Sequence, residues 1–200
     1  MKVIALLSGG IDSTVLLADR VERGDEVLAV SFDYGQTHRR ELTAAKQIAR
    51  YYKVPHRVVG LGSVTLPSAL TGSVDIPDGH AETPDATTVP ARNMIFLSVA
   101  AAIAEAEQAD AVMIGVTADD HNGYLDCRPL FINAMASAIR LGTSREVRLI
   151  APWMHMTKEA IVNKGYTLAA PMWLSWSCYR GGDVPCGTCG ACESREGAGA

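Results

Sequence analysis

The chain has 200 residues, 48% of them apolar and 20% charged, with a formal net charge of −4. That length buries a substantial single core, and the acidic balance argues against a surface built for polyanions; 38-HRR-40 and 145-REVR-148 read as short solvated basic patches. Apolar runs break well before the ~18 residues of a membrane span, and MKVIALLSGG has no signal-peptide pattern, so a cytoplasmic protein without a membrane partner is expected.

Residues 3–7 read as a buried strand that runs into SGGIDS and then into a helix at 13–23, with Val15, Leu16 and Val21 on its apolar face. The run 27-VLAVSF-32 is a second strand. Residues 39–52 place Leu42, Ala45, Ile48, Ala49 and Tyr52 at helical offsets, and 56-HRVVGL-61 is a third strand. This βαβαβ order predicts an α/β fold with a parallel sheet, whose ligands gather outside the carboxyl ends of the strands. Residues 62–91, rich in Gly, Pro, Ser, Thr and Asp, break the rhythm as a disordered stretch or a lid, and the lid is preferred. Helix 93–108, strand 111–117, helix 129–141 and strand 147–152 restore it, and 157-TKEAIVNKG-165 reads as a capped helix ending at Gly165. The chain is therefore read as a main domain, 1–173, with a small appendage, 174–200, packed on it.

The junction 7-LSGGIDSTVLL-17 turns a strand tightly into a helix, which aims free backbone N–H groups and the positive end of the helix dipole at the turn. A phosphate is the expected occupant. Gly9 and Gly10 permit the unusual dihedrals and close approach, and Ser8 and Ser13 add hydroxyls. The lysine of G-x-x-x-x-G-K-[ST] is missing, so the ordinary Walker reading fails. Asp12 either organises a divalent metal or caps the helix locally.

Four of the five cysteines fall at Cys178, Cys186, Cys189 and Cys192, spaced C-x7-C-x2-C-x2-C. Four thiolates at that spacing suit a tetrahedral structural Zn²⁺, with an iron–sulfur cluster as the alternative. The fifth, Cys127, is read as a packing residue rather than a sulfur-transfer nucleophile.

The 8-SGGIDS-13 loop resembles the pyrophosphate loop of the N-type ATP pyrophosphatases, with their adenine nucleotide alpha hydrolase-like fold. With 32-FDYGQTHRRE-41, 89-VPARN-93, 119-DDHNGYLDCRPLF-131 and 176-WSCY-179 plus the late cysteines, the chain resembles the QueC-type 7-cyano-7-deazaguanine synthase family from residue 3 to about 194. The resemblance implies ATP and Mg²⁺ at Leu7, Ser8, Gly9, Gly10, Ile11, Asp12, Ser13, Thr14, Val15, Leu16 and Leu17. It implies a two-stage reaction: adenylation of 7-carboxy-7-deazaguanine and its amidation by ammonia, then activation of the amide by a second ATP to give the nitrile.

Arg92, Asn93, Asp119, Asp126 and Arg128 are the expected substrate contacts, with Asp12, Ser13, Arg92, Asp126 and Arg128 in catalysis. Arg92 and Asn93 could hold phosphate or the substrate carboxylate, and a helix-start ion pair is the alternative for Arg92. At least one of Tyr34, Gln36 and His38 is expected near the nucleotide or a dimer partner. The family implies a homodimer, to which 170-APMWLSW-176 could contribute, and no nucleic-acid partner is expected. Thr37, Ala91, Leu125 and Ser175 depart from the residues common in the family, and 193-ESREGAGA-200 looks more flexible than its usual helical continuation. The readings kept open are another deazapurine acid, an enzyme stopping at the amide, a tRNA-thiolating enzyme and a zinc-containing binding module.

Overall fold

The computed structural model describes residues 1–62, 67–79 and 86–200. Five strands, β1 (Lys2–Leu6), β2 (Glu26–Asp33), β3 (His56–Gly60), β4 (Ala111–Met113) and β5 (Arg148–Ile150), form one parallel sheet ordered β3-β2-β1-β4-β5. Among the described residues, six α-helices accompany it: α1 (Ile11–Glu22), α2 (Arg40–Tyr51), α3 (Arg92–Ala106), α4 (Pro129–Gly142), α5 (Lys158–Thr167) and α6 (Gly190–Gly197).

Successive strand side chains point to opposite faces, and β1 shows the consequence. Val3, Ala5 and Leu7 join a core with Val15, Leu16 and Leu17 of α1, Ile48 of α2 and Ile161 of α5. Ile4 and Leu6 join a second core with Leu97 and Ala100 of α3 and Ile132 and Ile139 of α4. With both faces covered, the strand has no reason to alternate, which is why residues 3–7 are apolar throughout. Leu16, Leu17 and Ile161 are fully buried, and each such side chain contributes about 2 kcal/mol.

Several boundaries differ from the sequence reading. Helix α1 starts at Ile11, ahead of residue 13, with Gly10 in extended backbone as its N-cap. Helix α5 does not end at Gly165. A Cβ there would lie 2.6 Å from Met172 Sδ and 2.9 Å from Val15 Cγ2, so this glycine lets α5 approach its neighbours closely and the helix continues to Thr167. Residues 190–197 form α6 instead of a flexible tail, and Tyr166 donates its hydroxyl to the Gly199 carbonyl at 2.8 Å.

Of the expected lid at 62–91, residues 63–66 and 80–85 lie outside the described residues. Ser68–Gly72 makes a capped turn that buries Ala69 and Leu70, and Val89 is buried as well.

Strand order reverses beside β1, which is flanked by β2 and β4. In open α/β sheets, the crevice at such a reversal, beyond the carboxyl ends of the strands, is where ligands bind. No helix of the described residues is long and apolar enough to cross a membrane.

Candidate active site

A cavity of about 570 Å³ opens at that reversal, walled by Leu6–Ser8 at the end of β1, Val30–Phe32 of β2 and Ile114–Val116 after β4. Gly10–Ser13 form one end. Gly9 has φ +91°, and a Cβ there would fall 2.2 Å from the Glu41 carbonyl oxygen, so only glycine lets the turn pack against α2. The first N–H groups of α1, at Ile11, Asp12 and Ser13, have no acceptor within the helix and face this end of the cavity. Ser13 donates its hydroxyl to the Gly10 carbonyl at 3.0 Å and lies 3.1 Å from Ser8 Oγ. Thr14 to Leu17 turn into the core and are fully buried.

Asp12 is not the N-cap. Its carboxylate is ion-paired with the Lys158 ammonium, delivered from the start of α5. The local sequence explains that delivery. Thr157 caps α5 by accepting the Ala160 N–H on its side chain, and the Lys158 N–H donates to Asp119 at 2.6 Å. Burial raises the Asp12 carboxyl above its ordinary range against the pull of Lys158. Burial works against the Lys158 charge too, but Asp12, with Asp120 and Asp119 nearby, keeps it above the usual lysine value. The other Asp12 oxygen, Oδ1, is buried without a partner. An orphaned carboxylate oxygen beside the free N–H groups of a helix start fits a divalent cation.

Arg92 opens α3 on another wall. Among the described residues its hydrogen-bond partner is the Tyr34 hydroxyl at 3.4 Å, and no carboxylate forms an ion pair with it. Asn93 lines the cavity and is tied to Asp126: its N–H donates to the Asp126 carboxylate at 2.8 Å and its side-chain amide to the Asp126 carbonyl at 3.1 Å. Cys127 is buried nearby, and burial pushes its thiol far above the ordinary range, which suits packing.

The four late cysteines bring their Sγ atoms within 4.8 Å of one another, with Cys189–Cys192 at 3.5 Å and Cys186–Cys192 at 3.9 Å. A tetrahedral zinc with Zn–S near 2.3 Å sets its sulfurs about 3.8 Å apart. The four thiolates therefore fit a single metal ion, whereas a multi-iron cluster between them would hold them wider. The knuckle is stitched to the loop at 76–79: the Gly79 N–H donates to the Thr188 carbonyl at 2.7 Å, and Arg180 donates to Asp78 at 2.8 Å. The Trp176 N–H donates to the Gly9 carbonyl at 2.8 Å, joining this region to the SGG turn.

A family model described as queuosine biosynthesis protein QueC matches residues 2–199. The chain belongs to the QueC family. Its type is the 7-cyano-7-deazaguanine synthase type, within the N-type ATP pyrophosphatases.

Members of the QueC family named 7-cyano-7-deazaguanine synthase are similar along almost the whole chain. The one from Acetivibrio thermocellus is 45% identical over 97% of this chain and 90% of its own length. The one from Rhizobium etli is 44% identical over 98% and 86%. Among solved structures, the U34-tRNA thiolase NcsA from Methanococcus maripaludis with its [4Fe-4S] cluster superposes with a TM-score of 0.57 at 19% identity, over 86% of this chain and 58% of that one. NMN synthetase from Francisella tularensis gives 0.55 at 15% identity, over 91% and 68%. At such identities the likeness shows the fold alone.

In this QueC-family chain the cavity wall includes Leu7, Ser8, Gly10, Ile11, Asp12 and Ser13, together with Arg92, Asn93 and Asp119. Asp126 and Arg128 stand outside the wall. Asp126 holds Asn93, and exposed Arg128 donates to the His121 carbonyl at 2.9 Å. Lys158 is the polar group that sequence reasoning missed. Its one signal was the capped start 157-TK-158, which sequence distance disconnects from the SGG turn.

Proposed function

We propose that this chain converts 7-carboxy-7-deazaguanine and ammonia to 7-cyano-7-deazaguanine with two ATP, through the adenylated acid and the amide. The observation that carries the reading is the cavity itself: an anion-binding turn backed by Lys158 at one end, and Arg92, a cation without an anionic partner among the described residues, on another wall. A carboxylate resists attack because it is already negative, so it must first gain a leaving group.

The ATP phosphates rest on the N–H groups of Ile11–Ser13 and on Lys158. Arg92 holds the substrate carboxylate in line with the α-phosphorus, and Asn93 and Asp119 present polar groups to the heterocycle. Asp12 Oδ1 fits Mg²⁺, which supplies charge neutralisation to the departing pyrophosphate. Leu70, Pro77 and Gly79 in the wall help exclude water from the adenylate.

Zinc on Cys178, Cys186, Cys189 and Cys192 is structural in this reading, since four protein ligands leave no open position. The enzyme acts in the cytoplasm, where its thiols stay reduced. It works as a homodimer without a nucleic-acid partner. Trp173, 70% exposed and edge-on to Tyr51 at 6.1 Å, is the apolar surface that supports the dimer. Light scattering that reports only monomer would remove the dimer and leave the chemistry standing.

The test is to incubate the protein with ATP, Mg²⁺, ammonium and 7-carboxy-7-deazaguanine, then measure AMP and nitrile by mass spectrometry. Acid-dependent AMP with nitrile is expected. Amide without nitrile would make this a first-stage enzyme, and AMP formation indifferent to the acid would overturn the reading.

A further inference from the structure

We propose that His38, held by Glu41, is the base that removes protons from the reacting nitrogen, an assignment that rests on the synthase reading above. The need for such a group follows from the overall chemistry. Ammonium carries four N–H bonds and a nitrile none, so four protons must be lost on the way from one to the other. Ammonium, moreover, has no lone pair with which to attack until the first is gone.

His38 and Glu41 both wall the cavity, and His38 is only 3% exposed. Glu41 sits directly across from the anion-binding turn, because its carbonyl oxygen is the atom that a Cβ at Gly9 would strike. Its carboxylate is aimed by Gln36, whose amide nitrogen donates to Glu41 Oε1 at 2.8 Å. Gln36 has no freedom to flip: the same nitrogen donates to the Phe32 carbonyl at 3.0 Å, and its oxygen accepts the Tyr34 N–H at 2.9 Å. Glu41 Oε2 then meets His38 Nε2 at 3.1 Å.

With the carboxylate accepting from Nε2–H, the neutral imidazole has its lone pair on Nδ1. Nδ1 is buried without a partner. A buried acceptor with no donor is a cost to the fold unless a ligand supplies the donor. A histidine whose far nitrogen is held by a carboxylate is also the arrangement that stabilises the imidazolium formed on proton uptake.

In the first half reaction Nδ1 takes a proton from ammonium. The freed lone pair forms the C–N bond to the acyl carbon, the C–O bond breaks with its electron pair leaving on AMP, and a second N–H proton is lost to give the amide. In the second half the amide oxygen displaces pyrophosphate from ATP. The remaining N–H protons then depart as the C–O bond to AMP breaks and C≡N forms. Each proton is handed to solvent before the next is taken. His38 is thus assigned as a catalytic residue and Glu41 as a positioning residue.

The test compares His38→Gln and Glu41→Gln with the unaltered enzyme in three assays: acid-dependent ATP–pyrophosphate exchange, amide formation from ammonium, and hydroxamate formation from hydroxylamine. Exchange involves no nitrogen nucleophile, and hydroxylamine is already uncharged at neutral pH. The expected result is a loss of ammonium-dependent amide of about 100-fold in His38→Gln, a smaller loss in Glu41→Gln, and exchange and hydroxamate formation that keep pace with each other and fall far less. An equal loss in all three assays in both variants would assign a structural role and overturn the proposal. Ammonium-dependent turnover that survives His38→Gln while the unaltered enzyme shows acid-dependent exchange would overturn the base assignment alone. Absence of acid-dependent exchange in the unaltered enzyme would overturn the synthase reading and this assignment with it.

Discussion

Lys158, 146 positions along the chain from Asp12, forms an ion pair with it at the mouth of the SGG turn. The pair places a cation beside a turn whose own sequence lacks the Walker lysine, and it does so through a helix that packs against α1. Replacing Lys158 by methionine is expected to lower acid-dependent AMP formation about 100-fold, the usual cost of one preorganised donor at a transferring group. Calorimetry of this variant separates two roles. If the lysine binds phosphate, ATP binding weakens along with turnover; if it merely neutralises Asp12, turnover falls while ATP binding holds.

Gly9 and Gly10 are adjacent in sequence but not equivalent. Gly9→Ala places a Cβ on the Glu41 carbonyl oxygen at a φ of +91°, and an expected loss of about 3 kcal/mol follows from overlap and backbone strain together. At Gly10 a Cβ meets nothing nearer than Ser8 Oγ at 3.5 Å, so Gly10→Ala is expected to fold nearly normally. The larger Gly10→Val is expected to keep the fold and lose ATP binding, because its side chain enters the cavity end. Chemical denaturation and nucleotide titration of the three variants check the contrast.

Ala91 caps α3 in the left-handed region, at φ 52° and ψ 26°. A Cβ in that conformation costs about 1–2 kcal/mol. Ala91→Gly is therefore expected to raise stability by about 1 kcal/mol after the extra chain entropy of glycine is counted. Thermal unfolding measures it, and a lower melting temperature would mean that neighbours of Arg92 impose this backbone whatever the residue.

Metal content distinguishes the two kinds of cysteine. Cys189→Ser is expected to lose most of one zinc per chain and to loosen residues 174–192 together with the loop at 76–79 that hydrogen-bonds to them. Cys127→Ser is expected to keep its zinc. Elemental analysis and hydrogen exchange decide it: full zinc in the first variant defeats the ligand assignment, and zinc loss in the second means the ligand set is wrong.

Asp19 gives a pH dependence. It is 3% exposed, and burial alone would raise its carboxyl, but hydrogen bonds from Arg20, Lys164 and Arg23 outweigh that and hold it below the usual range. A carboxylate whose folded pKa is depressed contributes stability above its unfolded pKa and loses it as pH falls through the folded value. Asp19→Asn, which leaves buried Arg20 short of a partner, is expected to cost about 3 kcal/mol at pH 7. The gap should narrow once the medium is more acid than about pH 4, near the unfolded carboxyl. A gap of constant size from pH 7 to pH 3 would show that the contribution is packing rather than charge.

The sequence by itself determined the local devices. The SGGIDS turn after an apolar strand, the βαβ rhythm and the cysteine spacing were all legible, because a tight turn, a helix face and a four-cysteine knuckle are each built from residues close along the chain. The ends of α1 and α5 were misplaced for a different reason. Gly165 looks like a helix stop, and only the approach of Val15 and Met172 shows that its missing side chain serves packing. The site was legible in halves. That Arg92, Asn93 and Asp119 wall the same cavity as Ser8 and Asp12, that Lys158 pairs with Asp12 at the SGG turn, and that His38 Nδ1 is left without a partner while Nε2 meets Glu41 were decided by tertiary structure. Side chains that converge from separate strand ends leave no periodic signal, since their meeting depends on strand order and on which helix ends face the crevice at β1.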